Sequence, residues 1–333
     1  MSARRTRHTV GVVGGSGYTG ALLIELLTQH PSFDLTHVSS DSLAGTSVAA
    51  ALPRLRTGDL TFCGHDEVAG VDAAFVCLPE RCAAPVVERL LRDGTRVVDL
   101  SPDFRLTAAD YREWYGEHPF PEMLPGVYGL TELNRDAVRA ARLVANPGCY
   151  PTAALLALHP VRQLDLLDVC VDAKSGVSGA GKAASERTHF CTVDSDLVAY
   201  GVPGHRHYPE IAAGLGAGDG APSLTFVPHL VPLQRGITET IYVRAATQVS
   251  PARLRDLYEE AYAGEAFVDI CGAPPRLADV AGTNRCRIFP TTDPRNGRIL
   301  IFAAIDNLQK GASGQALQNM NLMLGLPEQE GLV

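Results

Sequence analysis

Residues 9–30 read TVGVVGGSGYTGALLIELLTQH. Thr9–Val13 is a short β-branched apolar run, and ALLIELLTQH at 21–30 carries apolar residues at helical spacing. Between them GGSGYTG sets Gly15, Gly17 and Gly20 in GxGxxG register, with Gly14, Gly17 and Gly20 as an overlapping set. A strand, a glycine loop and a helix in that order predict a phosphate-binding turn. The glycines let backbone N–H groups approach a pyrophosphate where the helix presents its positive end. A tight turn without a ligand would use the same glycines; the placement between strand and helix favours a dinucleotide. Gly14, Gly15, Ser16, Gly17, Tyr18, Thr19 and Gly20 are therefore the expected cofactor contacts.

Outward from this turn the alternation continues. LTHVSS at 35–40, AAFVCLP at 73–79 and TRVVDLS at 95–101 read as strands, with a helix near 82–92. RLVANPGC at 142–149 reads as one more strand, ending at a cysteine. Strands alternating with helices predict an α/β, Rossmann-type doubly wound parallel sheet. After about residue 160 the pattern changes. DVCVDAKSGVSG, SLTFVPHLVP, ITETIYVRAATQ and RILIFAAIDN are longer strands, several alternating apolar with polar, which predicts an α+β domain on a mixed or antiparallel sheet with one covered face. A helix at 251–263 lies among them, and GASGQALQNMNLMLGL closes the chain as an amphipathic helix. The expected division is 1–148 for nucleotide binding, 149–310 for catalysis and oligomerisation, and a C-terminal helix 311–333 packing back on the first domain.

The 333 residues carry a formal net charge of −8, with 46% hydrophobic and 20% charged residues. That balance disfavours nucleic acid or an anionic membrane as partner, because binding phosphates takes a basic excess. The basic run ARRTRH at 3–8 reads as a short solvated tail, and glycine- and proline-rich stretches at 201–204 and 214–222 read as loops. No apolar run has the length of a membrane span, and no secretory h-region precedes the first strand. Eight cysteines without CxxC pairs suggest reduced thiols in the cytoplasm. HRH at 205–207 lacks a cysteine pair to complete a zinc set, so no metal is expected.

The end of the second predicted strand offers Ser39, Ser40 and Asp41. The hydroxyls suit a ribose 2′-phosphate and the carboxylate a ribose diol, which leaves NADP(H) and NAD(H) both open. The other telling stretch is NPGCYPTAALLALHP at 146–160. Pro151 suits the first turn of a helix, so Cys149 lies at or just before a helix N-terminus, where the partial positive charge favours a thiolate. Cys63, Cys77, Cys82, Cys170, Cys191, Cys271 and Cys286 lack that setting in the sequence and read mostly as small buried hydrophobes.

GGSGYTG, DLSPDFRL, NPGCYPTA, SGVSGAGK, GHRHYPEI, PLQRGI and AIDNLQKGASGQALQNMNLMLG, in that order, resemble the N-acetyl-γ-glutamyl-phosphate reductase family of arginine biosynthesis, related to aspartate-semialdehyde dehydrogenase. The resemblance runs nearly end to end. It implies an NADPH-dependent reduction of an acyl phosphate through a thioester on Cys149, in a cytoplasmic homodimer or homotetramer. The chemistry needs a nucleophile, a hydride donor, an acid/base and anion-binding groups. The resemblance points to HRHYPEI for the acid/base, with His207 preferred, His205 second, and Glu210 orienting the working ring. If that segment is extended, only one of the two rings meets the sulfur. Arg105 is the expected phosphate contact, with Asn146, Arg206 and Arg235 as further substrate contacts. Ser178, Gly179 and Gly181 would present N–H groups to the nicotinamide end of the cofactor, and Asn307 would bond its carboxamide, brought there by the terminal helix. Surface arginines, a loop histidine and a plain strand-to-helix turn are the ordinary alternatives for these residues.

Many family members carry an arginine near the position of Asp41, so its absence keeps NAD(H) in view. A related branch reduces aminoadipate or glutamate phosphates linked to an acidic carrier protein; the charge of −8 argues mildly against it. A nucleotide-sensing regulator would explain the glycine loop but leave the thiol and histidines idle.

Overall fold

The computed structural model describes residues 7–216 and 220–333 and divides into two compact units: the chain up to Pro147 together with Ala312–Val333, and Gly148–Gly311. Most of the basic run at 3–8, and the middle of the loop at 214–222, lie outside the described residues.

The first unit runs β1 (His8–Val13), α1 (Tyr18–Gln29), β2 (Phe33–Ser39), α2 (Val48–Ala51), β3 (Phe62–Cys63), β4 (Ala73–Val76), α3 (Ala83–Arg92), β5 (Arg96–Asp99), α4 (Ala108–Tyr115), β6 (Val127–Tyr128), α5 (Thr131–Ala140) and β7 (Leu143–Ala145). Its sheet has the order β3-β2-β1-β4-β5-β7-β6 with every pairing parallel. The order reverses between β1 and β4, which sets the glycine loop in the crevice where such sheets bind ligands. Both faces are covered. Val12, Phe75, Val98 and Val144 join one apolar core with Leu23, Ile24 and Leu27 of α1 and with Leu317 and Met320 of a terminal helix over Gly314–Met323. Their strand neighbours Val13, Ala74, Val97 and Ala145 point into a second core with Val87 and Leu90 of α3. That is why these strands read as unbroken apolar runs.

The terminal helix also docks through amides. Asn319 Nδ2 donates to the carbonyl of Gly129 (2.7 Å), its Oδ1 accepts from Thr131 Oγ1 (2.7 Å), and Gln315 Nε2 donates to Gly129 O (3.1 Å).

The second unit runs α6 (Cys149–Leu158), β8 (Leu166–Gly176), α7 (Phe190–Val193), β9 (Val198–Ala199), α8 (Tyr208–Leu215), β10 (Ser223–Val231), β11 (Ile237–Ala245), α9 (Pro251–Ala261), β12 (Val268–Ile270), β13 (Cys286–Thr292) and β14 (Ile299–Ile305). Its sheet, β12-β13-β14-β11-β8-β10-β9, is mixed: β8 with β10 and β12 with β13 are parallel, the other pairs antiparallel. Alternate residues of β8 and β11, such as Val169, Val171, Ile241 and Val243, are buried, and α6 packs against β11, β13 and β14. From Tyr150 to Leu158 every residue of α6 is buried, as expected for a helix apolar all round.

Two readings of the sequence change here. The strand expected to end at the cysteine stops at Ala145, and Asn146-Pro147-Gly148 turns the chain; Cys149 then opens the helix that Pro151 predicts. The strand β13 went unread because Arg287 and Pro290 interrupt its apolar pattern.

Candidate active site

In the first unit the glycine loop divides its labour. Gly14 N and Gly15 N both donate to Ser39 O (3.1 and 2.9 Å), tying the loop to the end of β2, so these two N–H groups are not the phosphate donors expected of them. Gly14 has φ +83°, where a side chain is strained, and a Cβ on Gly20 would lie 2.3 Å from Gly14 O. Gly17 caps α1 and differs: a Cβ there would meet nothing closer than Gly14 O at 3.9 Å. The open side above Gly17, with the first-turn N–H groups of Tyr18, Thr19 and Gly20 that have no acceptor within the helix, makes a cradle that fits a pyrophosphate. Tyr18 is exposed at the mouth of the turn, and Thr19 O accepts from Ser313 Oγ at 2.9 Å.

At the end of β2, Ser39 is buried and bonded to His65 Nδ1 (2.8 Å), whereas Ser40 Oγ donates to Ser16 Oγ (3.0 Å) and lies 3.3 Å from Ser42 Oγ. Asp41 Oδ1 accepts from the His65 backbone N–H (3.0 Å), and its Oδ2 is 3.6 Å from His65 Nε2. Sequence reading missed His65, 24 residues from Asp41, because only the pairing of β2 with β3 brings it there.

Arg105 lies beyond the carboxyl end of β5, where its Nε and Nη2 donate to Asn146 O and Leu100 O, both at 2.8 Å. Two of its donors thus brace the sheet edge. Asn146, expected as a substrate contact, is buried; its Nδ2 donates to Ala312 O (3.2 Å), and its Oδ1 accepts from Asn319 Nδ2 (3.1 Å). Nearby Asp99 accepts from Ser101 Oγ at 2.6 Å, and burial pushes its carboxyl up to about 7.

In the second unit Gly148 caps α6 and Cys149 is its first helical residue, half-buried where the following residues are fully buried. Gly148 N donates to Glu210 Oε1 at 2.7 Å, so this buried carboxylate fixes the peptide that leads into Cys149. Cys82 also caps a helix, α3, against the sequence reading, and it is exposed. There Asp103 Oδ2 already accepts from Ala83 N and Ala84 N (3.2 and 3.3 Å), so a carboxylate occupies the start of that helix. Exposed Cys191 likewise departs from the buried reading.

The two histidines do not face opposite ways. Residues 205–207 form a turn into α8, and their rings meet at 5.0 Å, each within 5.8 Å of the Tyr150 ring. His205 Nδ1 accepts from His207 N at 3.1 Å. Burial, with Arg206 and Arg187 adding to it, pushes His205 down to about 4. Tyr150 and Tyr200 pair through their hydroxyls at 3.0 Å, and burial pushes the Tyr200 phenol up to about 12.

The surroundings of three further candidates are defined. Arg206 is exposed. Arg235 is held by the buried Asp306, Nη2 to Oδ1 at 3.0 Å, so much of its charge is neutralised locally. Asn307 is buried with both ends of its amide engaged, accepting from Gly236 N (2.7 Å) and donating to Ser178 Oγ (3.0 Å). In the loop it braces, Ser178 N donates to Gln234 O and Gly181 N to Ser178 O, both at 3.2 Å, so neither presents its N–H outward. A Cβ on Gly179 would lie 2.7 Å from Ser175 Oγ, which makes that glycine a packing requirement.

The chain matches the semialdehyde dehydrogenase NAD-binding domain over residues 9–141 and the semialdehyde dehydrogenase dimerisation domain over residues 149–307. It is 48% identical to N-acetyl-gamma-glutamyl-phosphate reductase of Laribacter hongkongensis, covering 97% of each chain. It is 45% identical to the protein of that name in Dehalococcoides mccartyi, covering 98% of this chain and 97% of that one. Among solved structures, aspartate semialdehyde dehydrogenase II of Vibrio cholerae superposes with a TM-score of 0.75 at 18% identity, over 96% of this chain and 99% of that one, a likeness of fold.

Proposed function

The chain belongs to the semialdehyde dehydrogenase family and, within it, to the N-acetyl-γ-glutamyl-phosphate reductases, and from that premise we propose that it reduces N-acetyl-γ-glutamyl phosphate to N-acetylglutamate 5-semialdehyde and phosphate in arginine biosynthesis. One arrangement carries this reading: a cysteine as the first residue of a buried helix, with a histidine pair packed on the next residue of that helix. His207 takes the thiol proton. The Cys149 thiolate attacks the acyl carbon, the carbon–oxygen bond to phosphate breaks, and a thioester forms on the sulfur. The Gly17 cradle would hold the pyrophosphate of a reduced nicotinamide cofactor, which would supply the hydride needed to reduce the thioester. His207 lends its proton to the carbonyl oxygen and takes it back as the hemithioacetal collapses, which breaks the carbon–sulfur bond and releases aldehyde and thiolate. The start of α6 stabilises the sulfur as an anion at both ends of the cycle.

We read the cofactor as NADP(H). The hydroxyls of Ser16, Ser40 and Ser42 cluster beyond β2, and the His65 backbone N–H engages the Asp41 carboxylate. Arg105 and the part-exposed guanidinium of Arg235 are the anion contacts in this reading. It also carries a homodimer or homotetramer in the cytoplasm; among the described residues no helix is long and apolar enough to cross a membrane.

The test is the reverse reaction: protein, NADP⁺, phosphate and N-acetylglutamate 5-semialdehyde, followed by absorbance of the reduced nicotinamide. Turnover is expected, and it should vanish in Cys149→Ala while cofactor binding persists. Near-normal turnover in that variant rules the covalent route out. Runs with NAD⁺ and with carrier-linked aminoadipate semialdehyde decide cofactor and substrate.

A further inference from the structure

We propose that His205 is a positioning residue: it stays neutral through turnover and holds the His207 backbone, leaving proton transfer to the His207 imidazole. This rests on the function proposed above. The first support is a donor–acceptor argument. A backbone N–H can only donate, so the 3.1 Å bond from His207 N makes His205 Nδ1 an acceptor and puts the proton of the neutral ring on Nε2. His207 is also the cap of α8. Protonating His205 Nδ1 would break this bond and set two N–H groups against each other at the positive end of that helix.

The second support is packing. The His205 ring meets Tyr200 and Phe226 at 5.3 Å, Tyr150 at 5.8 Å and His207 at 5.0 Å, all edge-on. A Cβ on Gly201 would lie 2.9 Å from His205 Cδ2, so the loop before it closes directly on the ring. The third is charge. The groups that face it are Arg206 on its own turn, Arg187 from the excursion before α7, the Tyr150 and Tyr200 phenols, and His207. Both arginines favour the neutral ring, and burial keeps both phenols protonated. With Nδ1 committed, His205 has no basic nitrogen left for the thiol.

Asparagine separates the two roles. Its Oδ1 accepts from the N–H two residues on, as Nδ1 does here, but it has no titrating proton. In the reverse assay with the full chain, His205→Asn is expected to keep kcat within about threefold, with the pH profile unchanged, and His205→Leu to lose about tenfold or more. His207→Asn should lose about 10²–10⁴ and the histidine limb of the profile. In ¹⁵N-histidine spectra of the wild type, His205 should hold the Nε2–H tautomer without titrating between pH 8 and about pH 5. Loss of the limb in His205→Asn with its retention in His207→Asn overturns the proposal, as does titration of His205 near the ordinary histidine value. Thermal melts confirm that the variants are folded. Turnover by Cys149→Ala in the same assay would instead sink the covalent reading, so the two failures are distinguishable.

Discussion

Glu239 is buried on β11 on the same side as Ile237, Ile241 and Val243, with both carboxyl oxygens unpartnered. Burial raises its pKa well above the ordinary carboxylate value, so the folded protein keeps a proton that the unfolded chain gives up near pH 4.5. Its contribution is therefore least harmful below that pH, and stability is lost as pH rises above it. Glu239→Met removes the orphaned group at similar volume. It should raise stability at pH 8 by about 1–3 kcal/mol, with the gain shrinking toward pH 4.5, as read by urea midpoints; an unchanged midpoint would mean that the carboxyl is solvated. Cys149 was legible at this scale because its signal is local: Gly148 before it, Pro151 after it, an apolar helix beyond. The roles of Glu210, Asn146, Arg235 and Asn307 were not, because their partners Gly148, Asn319, Asp306 and Gly236 lie 62 to 173 residues away in the chain.

Between β14 and the terminal helix, Gln309–Ser313 form a π-helical turn in which Gly311 N donates to Asp306 O at 2.9 Å. A Cβ on Gly311 would lie 2.9 Å from Cys149 Cβ, and its φ is outside the left-handed region, so this glycine serves close approach and not backbone strain. Gly311→Ala should push Cys149 off its place at the start of α6. The expected result is slower iodoacetamide alkylation and a kcat lower by about tenfold, with nucleotide affinity unchanged; normal alkylation would dismiss the contact. The glycine loop predicts the converse. Gly20→Ala drives a methyl into Gly14 O and should weaken nucleotide binding by about tenfold or more, measured by fluorescence titration, while Cys149 alkylation stays normal. The glycine loop could be read ahead of the structure because strand, loop and helix are consecutive. The helices α4, α5 and α8 could not, since they are short and largely polar or capped by residues that also suit loops.

Across the whole molecule, acid stability sums opposing groups. His205 is depressed from 6.5 to about 4, so the unfolded chain takes up its proton first and stability is lost as pH falls through that window. Asp99 and Glu239 have raised values and act in the other sense as pH rises. His205→Asn should flatten the loss between pH 6.5 and 4, seen in melting curves against wild type; an equal loss in the variant would assign it to other groups. By itself the sequence determined the glycine-rich βα turn, the change from a parallel to a mixed sheet, and the place of Cys149 at the start of a helix. Each is written in consecutive residues, through the period of a strand or helix, a glycine register or a helix start. Only the tertiary structure decided that Ser39 takes the N–H groups of Gly14 and Gly15, that Asp306 holds Arg235, and that His205 lends its lone pair to the His207 N–H. Hydrogen-bond donors are finite, and which partner takes each one is settled by segments that meet only after the chain has folded.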